Sequence, residues 1–329
     1  SSENNIVEIK KRLTRQTIGP DKLNQLRHLA FLKDLNNINE QILKYKLSIF
    51  NPSFYVLDEK KEKYKKLADE KVLNFNQEQR ENFLIGMMKV NFLKRLESSI
   101  ESFEISLERT IEKIEILLDK IDSYEANKTN IKDDTLFDSI PDEVELAEDN
   151  EDIEQWEIGK KLKFNLSDLN LKNWKSDLEN DKTALYQIYT IAKDVTPEKD
   201  GKLIELKKLI KEKVNNTFNE NNKKIIIFTA FADTAVYLYN NLENYVKNEF
   251  KLNIALVTGT NTKTTFGQND YDSILTNFSP ISKNRTNNDK ENSQIDVLIA
   301  TDCISEGQNL QDCDYLINYD IHWNPVRII

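Results

Sequence analysis

Residues 295–329 read IDVLIATDCISEGQNLQDCDYLINYDIHWNPVRII. An apolar run, Val297 to Ala300, enters a polar turn holding one glycine, Gly307, and a second apolar run follows at Tyr315 to Tyr319. Short apolar runs separated by longer segments read as strands of a parallel sheet buried on both faces. In such sheets ligands sit beyond the carboxyl ends of the strands. Thr301, Asp302, Ser305, Glu306, Gly307, Gln308 and Asn309 fall just past one such end, offering hydroxyl, carboxylate and amide groups. A solvated loop is the alternative reading of the same residues.

Working upstream, Ile225 to Phe228 ends at Thr229, Ala230 to Asn244 has helical spacing, and Ile254 to Val257 closes on Thr258 and Gly259. Residues 260–294 hold enough apolar side chains for one short helix, and the rest of that stretch reads as loop. Lys202 to Val214 places Leu203, Leu206, Leu209 and Ile210 on one side of a helix, after the Thr196-Pro197 and Asp200-Gly201 breaks. Four strands near 225, 254, 296 and 315 alternating with helices predict an α/β class with a parallel sheet and right-handed crossovers.

ATDCISEGQNLQ followed by NYDIHWNPVRII resembles motif V and the next segment of superfamily 2 helicases, in the Swi/Snf-like branch that includes the bacterial RapA-type proteins. Thr301, Gly307, Asn309, Leu310, Asp320, Trp323, Asn324 and Pro325 fit that pattern. Ile225 to Thr229 resembles motif IV, and DGKLIEL is similar to the D-x-K-L-x-x-L segment that leads into the second motor lobe. The resemblance implies a RecA-like second lobe preceded by an all-α region of long helices. It implies ATP and Mg²⁺ as cofactors of the full-length protein and nucleic acid as partner, DNA rather than RNA and double-stranded by preference. Glu306, Gly307 and Asn309 would face the nucleotide cleft; Thr229, Thr258, Gly259, Thr301 and Ser305 would lie along the nucleic-acid track. Asn309 holding its own loop, and Thr229 and Thr301 serving as strand-end caps, stay open beside those roles. Trp323, with His322 and Pro325, is read as packing the lobe edge.

Phosphoryl transfer needs a phosphate cradle, a Mg²⁺ ligand, a water-orienting residue and an arginine for the developing charge. The sequence has no G-x-x-x-x-G-K-[ST] loop. The family draws these parts from a first RecA-like lobe and from a Q-x-x-G-R-x-x-R motif expected near where the sequence stops. The expectation is therefore a piece of an ATP-dependent translocase or helicase, inactive alone, its first lobe missing. The rival is a non-catalytic interaction or scaffold protein that keeps the lobe as a platform.

Composition sets the bounds. In 329 residues, 39% apolar content supports cores in more than one domain, and 31% charged residues with seven glycines indicate much surface helix. Cys303 and Cys313 with two histidines supply neither a zinc cluster nor a disulfide framework. No apolar run approaches membrane-spanning length and no signal peptide opens the chain, so a cytoplasmic protein away from membranes is expected. The net charge of −10 is local: Asp133 to Glu157 holds twelve acidic residues and no lysine or arginine, and without it the remainder is +2. A basic face for nucleic acid is compatible with that balance. Oligomeric state is not legible.

Four divisions follow: a helical region at 1–124, an acidic linker or loop at 125–165, a helical connection at 166–200 and the lobe at 201–329. Leu23 to Leu43 recur at helical spacing. In NPSFYVLDEKKEKY the pair Asp58-Glu59 has the outline of a Mg²⁺-binding acidic pair, a reading rejected because no phosphate loop accompanies it. The segment reads instead as the lead-in to a helical region. Phe83, Met87, Val90, Leu93, Leu96, Ile100, Phe103, Leu107, Ile111, Ile114, Leu117 and Ile121 recur at steps of three and four, which predicts one long amphipathic helix, its stripe paired with a helix such as 21–50. Within it Lys94 and Arg95 touch a phosphate backbone, or are solvated, or pair with Glu97 and Glu101.

Overall fold

The computed structural model describes residues 38, 40–70, 77–126, 163–267, 270–285, 294–304 and 308–320. The acidic tract 133–157, Trp156, Ser305, Glu306, Gly307, the 321–329 segment and residues 1–37 lie outside the described residues. The chain divides into two compact units, Ser1–Tyr45 and Lys46–Ile329. In the first, helix covers 40–44, and Ile38 and Ile42 are buried.

The second unit opens with helical turns at Ser48–Phe50, Pro52–Tyr55 and Asp58–Lys60, which lead into helix α1 (Lys61–Glu70). Among the described residues three long helices follow: α2 (Gln77–Ser98), α3 (Ile100–Ala126) and α4 (Leu171–Lys193). Along α3 the expected stripe is buried from Ile100 through Phe103, Leu107, Ile111, Ile114 and Leu117 to Ile121. It packs on Leu178, Leu185, Ile188 and Ala192 of α4; most of the partner expected at 21–50 lies outside the described residues. Each buried Leu or Ile among them gains about 1.5–3 kcal/mol on leaving water.

The single long helix does not hold. It breaks at Ser99, and Phe92 and Phe103 meet edge-to-face with ring centroids 6.4 Å apart, whereas eleven residues of straight helix would separate them by about 16 Å. The stripe also changes phase at the break. In α2 the covered side carries Glu81, Leu84, Met88, Asn91, Phe92, Arg95 and Ser98, while Phe83 and Val90 are exposed. Glu81 on this side accepts from Gln77 Nε2 at 2.8 Å and from the Ser53 N–H at 3.2 Å. A buried face made largely of polar groups escapes a search for apolar periodicity.

The lobe begins at α5 (Gly201–Asn215), capped by Asp200, whose carboxylate accepts from the N–H groups of Lys202 and Leu203. Strands β1 (Ile225–Phe228), β2 (Ile254–Val257), β3 (Thr262–Thr264), β4 (Val297–Ala300) and β5 (Leu316–Asn318) form one sheet in the order β3-β2-β4-β1-β5. Pairing is parallel across β2, β4, β1 and β5, and β3 joins the edge antiparallel to β2. Helices α5 and α6 (Ala232–Phe250) cover one face, meeting Ile225, Ile227, Ile254, Leu256, Val297 and Ile299. The alternate residues Ile226, Ala255, Val257, Leu298 and Ala300 meet α7 (Tyr271–Phe278) on the other. Burial on both faces is why these strands read as continuous apolar runs. This is the expected α/β, RecA-like lobe after a helical region. The edge strand β3, polar and three residues long, was not expected, and α6 runs six residues beyond the expected Asn244 until Lys251 takes a left-handed φ of 58°.

Candidate nucleic-acid interface

The parallel register places the strand ends side by side. Phe228 pairs with Ala300 and with Asn318, and Val257 pairs with Ala300. The next residue in each strand therefore falls in the spatial order Thr258, Thr301, Thr229, Tyr319 along the carboxyl edge. Backbone hydrogen bonds continue the ladder one step: Thr301 N–H donates to Val257 at 3.2 Å, Thr229 N–H to Ala300 at 3.0 Å and Tyr319 N–H to Phe228 at 2.7 Å. With strands about 4.8 Å apart, the three threonines span roughly 10 Å.

Each threonine hydroxyl has a partner within the chain. Thr258 is 5% exposed and its hydroxyl both donates to the Asn261 carbonyl at 3.2 Å and accepts the Asn261 N–H at 2.9 Å. Thr301, 9% exposed, reaches Cys303 Sγ at 3.4 Å. Thr229, 2% exposed, donates to Asp320. Gly259 is exposed, and a Cβ built there meets open space. Asn309 is exposed on a loop with Gln308, Leu310 and Gln311, and its side-chain oxygen accepts the Gln311 N–H at 3.4 Å. Lys283 and Asp312 brace that loop: Lys283 Nζ lies 2.6 Å from Gln308, and Asp312 accepts the N–H groups of Ile281 and Ser282 at 2.7 and 2.9 Å. The cysteines Cys303 and Cys313 are free, and burial pushes the Cys313 thiol up.

Beside the threonines lies a polar node without a periodic signature in the sequence. The Asp320 carboxylate accepts from Thr229 Oγ1, from the Ala230 N–H at 3.0 Å, from Lys202 Nζ at 3.0 Å and from Ser98 Oγ at 2.9 Å. Burial raises this carboxyl, yet the Lys202 ammonium and the donors from Thr229 and Ala230 outweigh it and hold the group below its ordinary value. Lys202 also donates to the Glu97 and Ser98 carbonyls at 2.9 and 3.0 Å, so a lobe lysine caps the end of α2. Its Nζ lies 3.9 Å from the centre of the Tyr319 ring.

Arg95 is turned inward, toward the lobe. Its side chain is 3% exposed, Nη1 donates to Asp233 at 2.8 Å and to Ser102 at 3.2 Å, and the guanidinium lies 4.9 Å from the Phe231 ring centre. Sequence reading fitted Asp320 to a pattern without giving it work, and missed Ser98, Lys202 and Asp233. The partners in this network lie 90 to 222 positions apart, beyond any local spacing rule.

Of the three residues proposed for the nucleotide cleft only Asn309 is described, and among the described residues no group of three or more His, Cys, Asp or Glu could hold a metal ion. Among the described residues no helix is long and apolar enough to cross a membrane.

Comparison with known proteins supplies the family context. Residues 201–329 match the family model for the helicase conserved C-terminal domain, and residues 1–91 match that for aspartate amino-transferase; neither spans half the chain. The "Uncharacterized ATP-dependent helicase YqhH" of Bacillus subtilis (strain 168) is 57% identical over 35 residues, 11% of this chain and 6% of that protein. The crystal structure of the Pyrococcus furiosus Hef helicase domain aligns with 83% of this chain and 42% of its own at 15% identity, with a TM-score of 0.34. A likeness that slight fixes no residue correspondence. The chain thus spans a small part of its curated relative and under half of the solved one. Residues 201–329 are thus similar to the helicase conserved C-terminal domain.

Proposed function

We propose that this chain is part of an ATP-dependent DNA translocase or helicase of the Swi/Snf-like, RapA-type branch. In this reading the carboxyl edge of the sheet faces the backbone of double-stranded DNA, and a first RecA-like lobe contributes the ATP and Mg²⁺ site. The alignment of Thr258, Thr301 and Thr229 on adjacent strand ends, in a lobe that matches the helicase C-terminal domain, carries the proposal. Hydroxyls and backbone N–H groups suit phosphate contacts that fix position without reading sequence. Ser305 and Gly259 extend the same track, and Glu306, Gly307 and Asn309 are proposed for the nucleotide side.

One observation favours the rival scaffold reading: the three threonine hydroxyls already have partners in the chain. DNA-stimulated ATP hydrolysis by the complete gene product, compared with Gly307→Val and Asn309→Ala, separates the two. The motor reading expects stimulation that both variants lose, and no turnover by residues 1–329 alone. A complete product that binds neither ATP nor DNA supports the scaffold.

A further inference from the structure

Four donors converge on the Asp320 carboxylate, and one of them, Ser98 Oγ, comes from the helical region instead of the lobe. Ser98 is 2% exposed and closes α2 where the chain turns into α3. Its hydroxyl lies 2.7 Å from Thr234 Oγ1, which in turn lies 2.9 Å from Ser99 Oγ. Proton counting sets the direction of this chain. An ionised carboxylate only accepts, and a hydroxyl has one proton to give. Ser98 therefore donates to Asp320, Thr234 to Ser98, and Ser99 to Thr234; Ser99 Oγ accepts the Ser102 N–H at 3.1 Å, which is consistent with that order. The relay begins on the first turn of α3 and ends on the carboxylate that holds the Thr229–Ala230 turn.

We infer that Ser98 is a positioning residue for the Thr229–Ala230 turn of the lobe, acting through the Asp320 carboxylate. The inference rests on the proposed function only in taking that turn to face a phosphate backbone; the mechanical link from the helix junction to the lobe stands on geometry. Asp320 occupies the Thr229 hydroxyl and the Ala230 N–H together, so the position of the carboxylate decides how those two donors point. Ser98 and Lys202 fix that position from the other side, and Lys202 also grips the carbonyls of Glu97 and Ser98. Movement of the α2–α3 junction thereby changes what the strand-end edge presents to a phosphate. The arrangement gives the helical region a direct hand on the lobe's ligand-facing turn, with nucleic-acid affinity as the property it tunes.

Amide exchange by NMR on the whole chain, with Ser98→Ala and Ser98→Thr, tests the link. The Ala230 N–H bonds directly to Asp320 and reports the carboxylate, while the Ile299 N–H in β4 reports the sheet. The inference expects Ser98→Ala to raise Ala230 exchange by about fivefold with Ile299 unchanged, and Ser98→Thr, which keeps the hydroxyl, to restore it. Unchanged Ala230 exchange overturns the inference, as does an equal rise at Ala230 and Ile299, which marks general loosening. The functional half is read by the affinity for a short DNA duplex: Ser98→Ala is expected to weaken it about threefold and Ser98→Thr to restore it. Altered exchange with unaltered affinity overturns that half. A wild-type chain that binds no duplex fails the proposed function, while the exchange result still decides the link.

Discussion

Arg95 and Asp233, 138 positions apart, meet at 2.8 Å with the guanidinium almost fully covered. Arg95 belongs to the helical region and Asp233 to the first turn of α6, where a carboxylate also complements the positive end of the helix. The pair joins the two parts beside the Asp320 node.

Removing the carboxylate should harm the protein more than removing the guanidinium. Asp233→Ala takes the carboxylate away from the covered Arg95 guanidinium and from Arg109, and is expected to cost about 3 kcal/mol. Arg95→Met removes the charge and keeps much of the volume, at a smaller cost. Urea unfolding of both variants checks the order, and a greater loss in Arg95→Met would contradict it.

Glu81 makes stability fall with rising pH. Burial pushes its carboxyl from an ordinary 4.5 up to about 7, against hydrogen bonds from Gln77 and Ser53 that favour the charged form. A folded-state value above the unfolded one means the contribution is full below 4.5 and is lost as pH rises through about 7. The melting temperature should therefore drop between pH 5 and pH 8 by an amount that Glu81→Gln removes. Identical pH profiles for the two proteins would rule this out.

The two sides of α3 should respond oppositely to truncation. Phe103 is fully buried against Phe92, and Phe103→Ala is expected to cost about 3–5 kcal/mol. Ile116 on the same helix is 68% exposed, and Ile116→Ala should stay within about 0.5 kcal/mol. Denaturant midpoints of the two variants read this directly.

The legible parts of the chain were those whose burial follows a local rule. IIIF, IALV and VLIA announced β1, β2 and β4 because both faces of each strand are covered, and α3 announced itself because its buried side is purely apolar. TKT gave no signal for β3, since an edge strand three residues long has little to bury. The break at Ser99 was invisible because no proline or glycine marks it and apolar steps of three and four continue across the turn. The phase of α2 was misjudged because its covered face is half polar. Within the site, the strand-end threonines were found from position alone, as the residues that end each apolar run. Asp320, Lys202 and Ser98 form a node only after folding brings three distant segments together, and charge pairs at such separations leave no spacing to read.

The affinity for double-stranded DNA under charge placement at opposite edges of the sheet tests the central claim most directly. Gly259→Glu puts a carboxylate into open space at the carboxyl edge; Asn248→Glu adds the same charge on the exposed end of α6, which leads to the amino end of β2. By fluorescence anisotropy of a short duplex at low salt, the account predicts that Gly259→Glu weakens binding by at least about fivefold and that Asn248→Glu leaves it unchanged. Equal affinities for both variants and the wild-type chain, or a loss confined to Asn248→Glu, would contradict it.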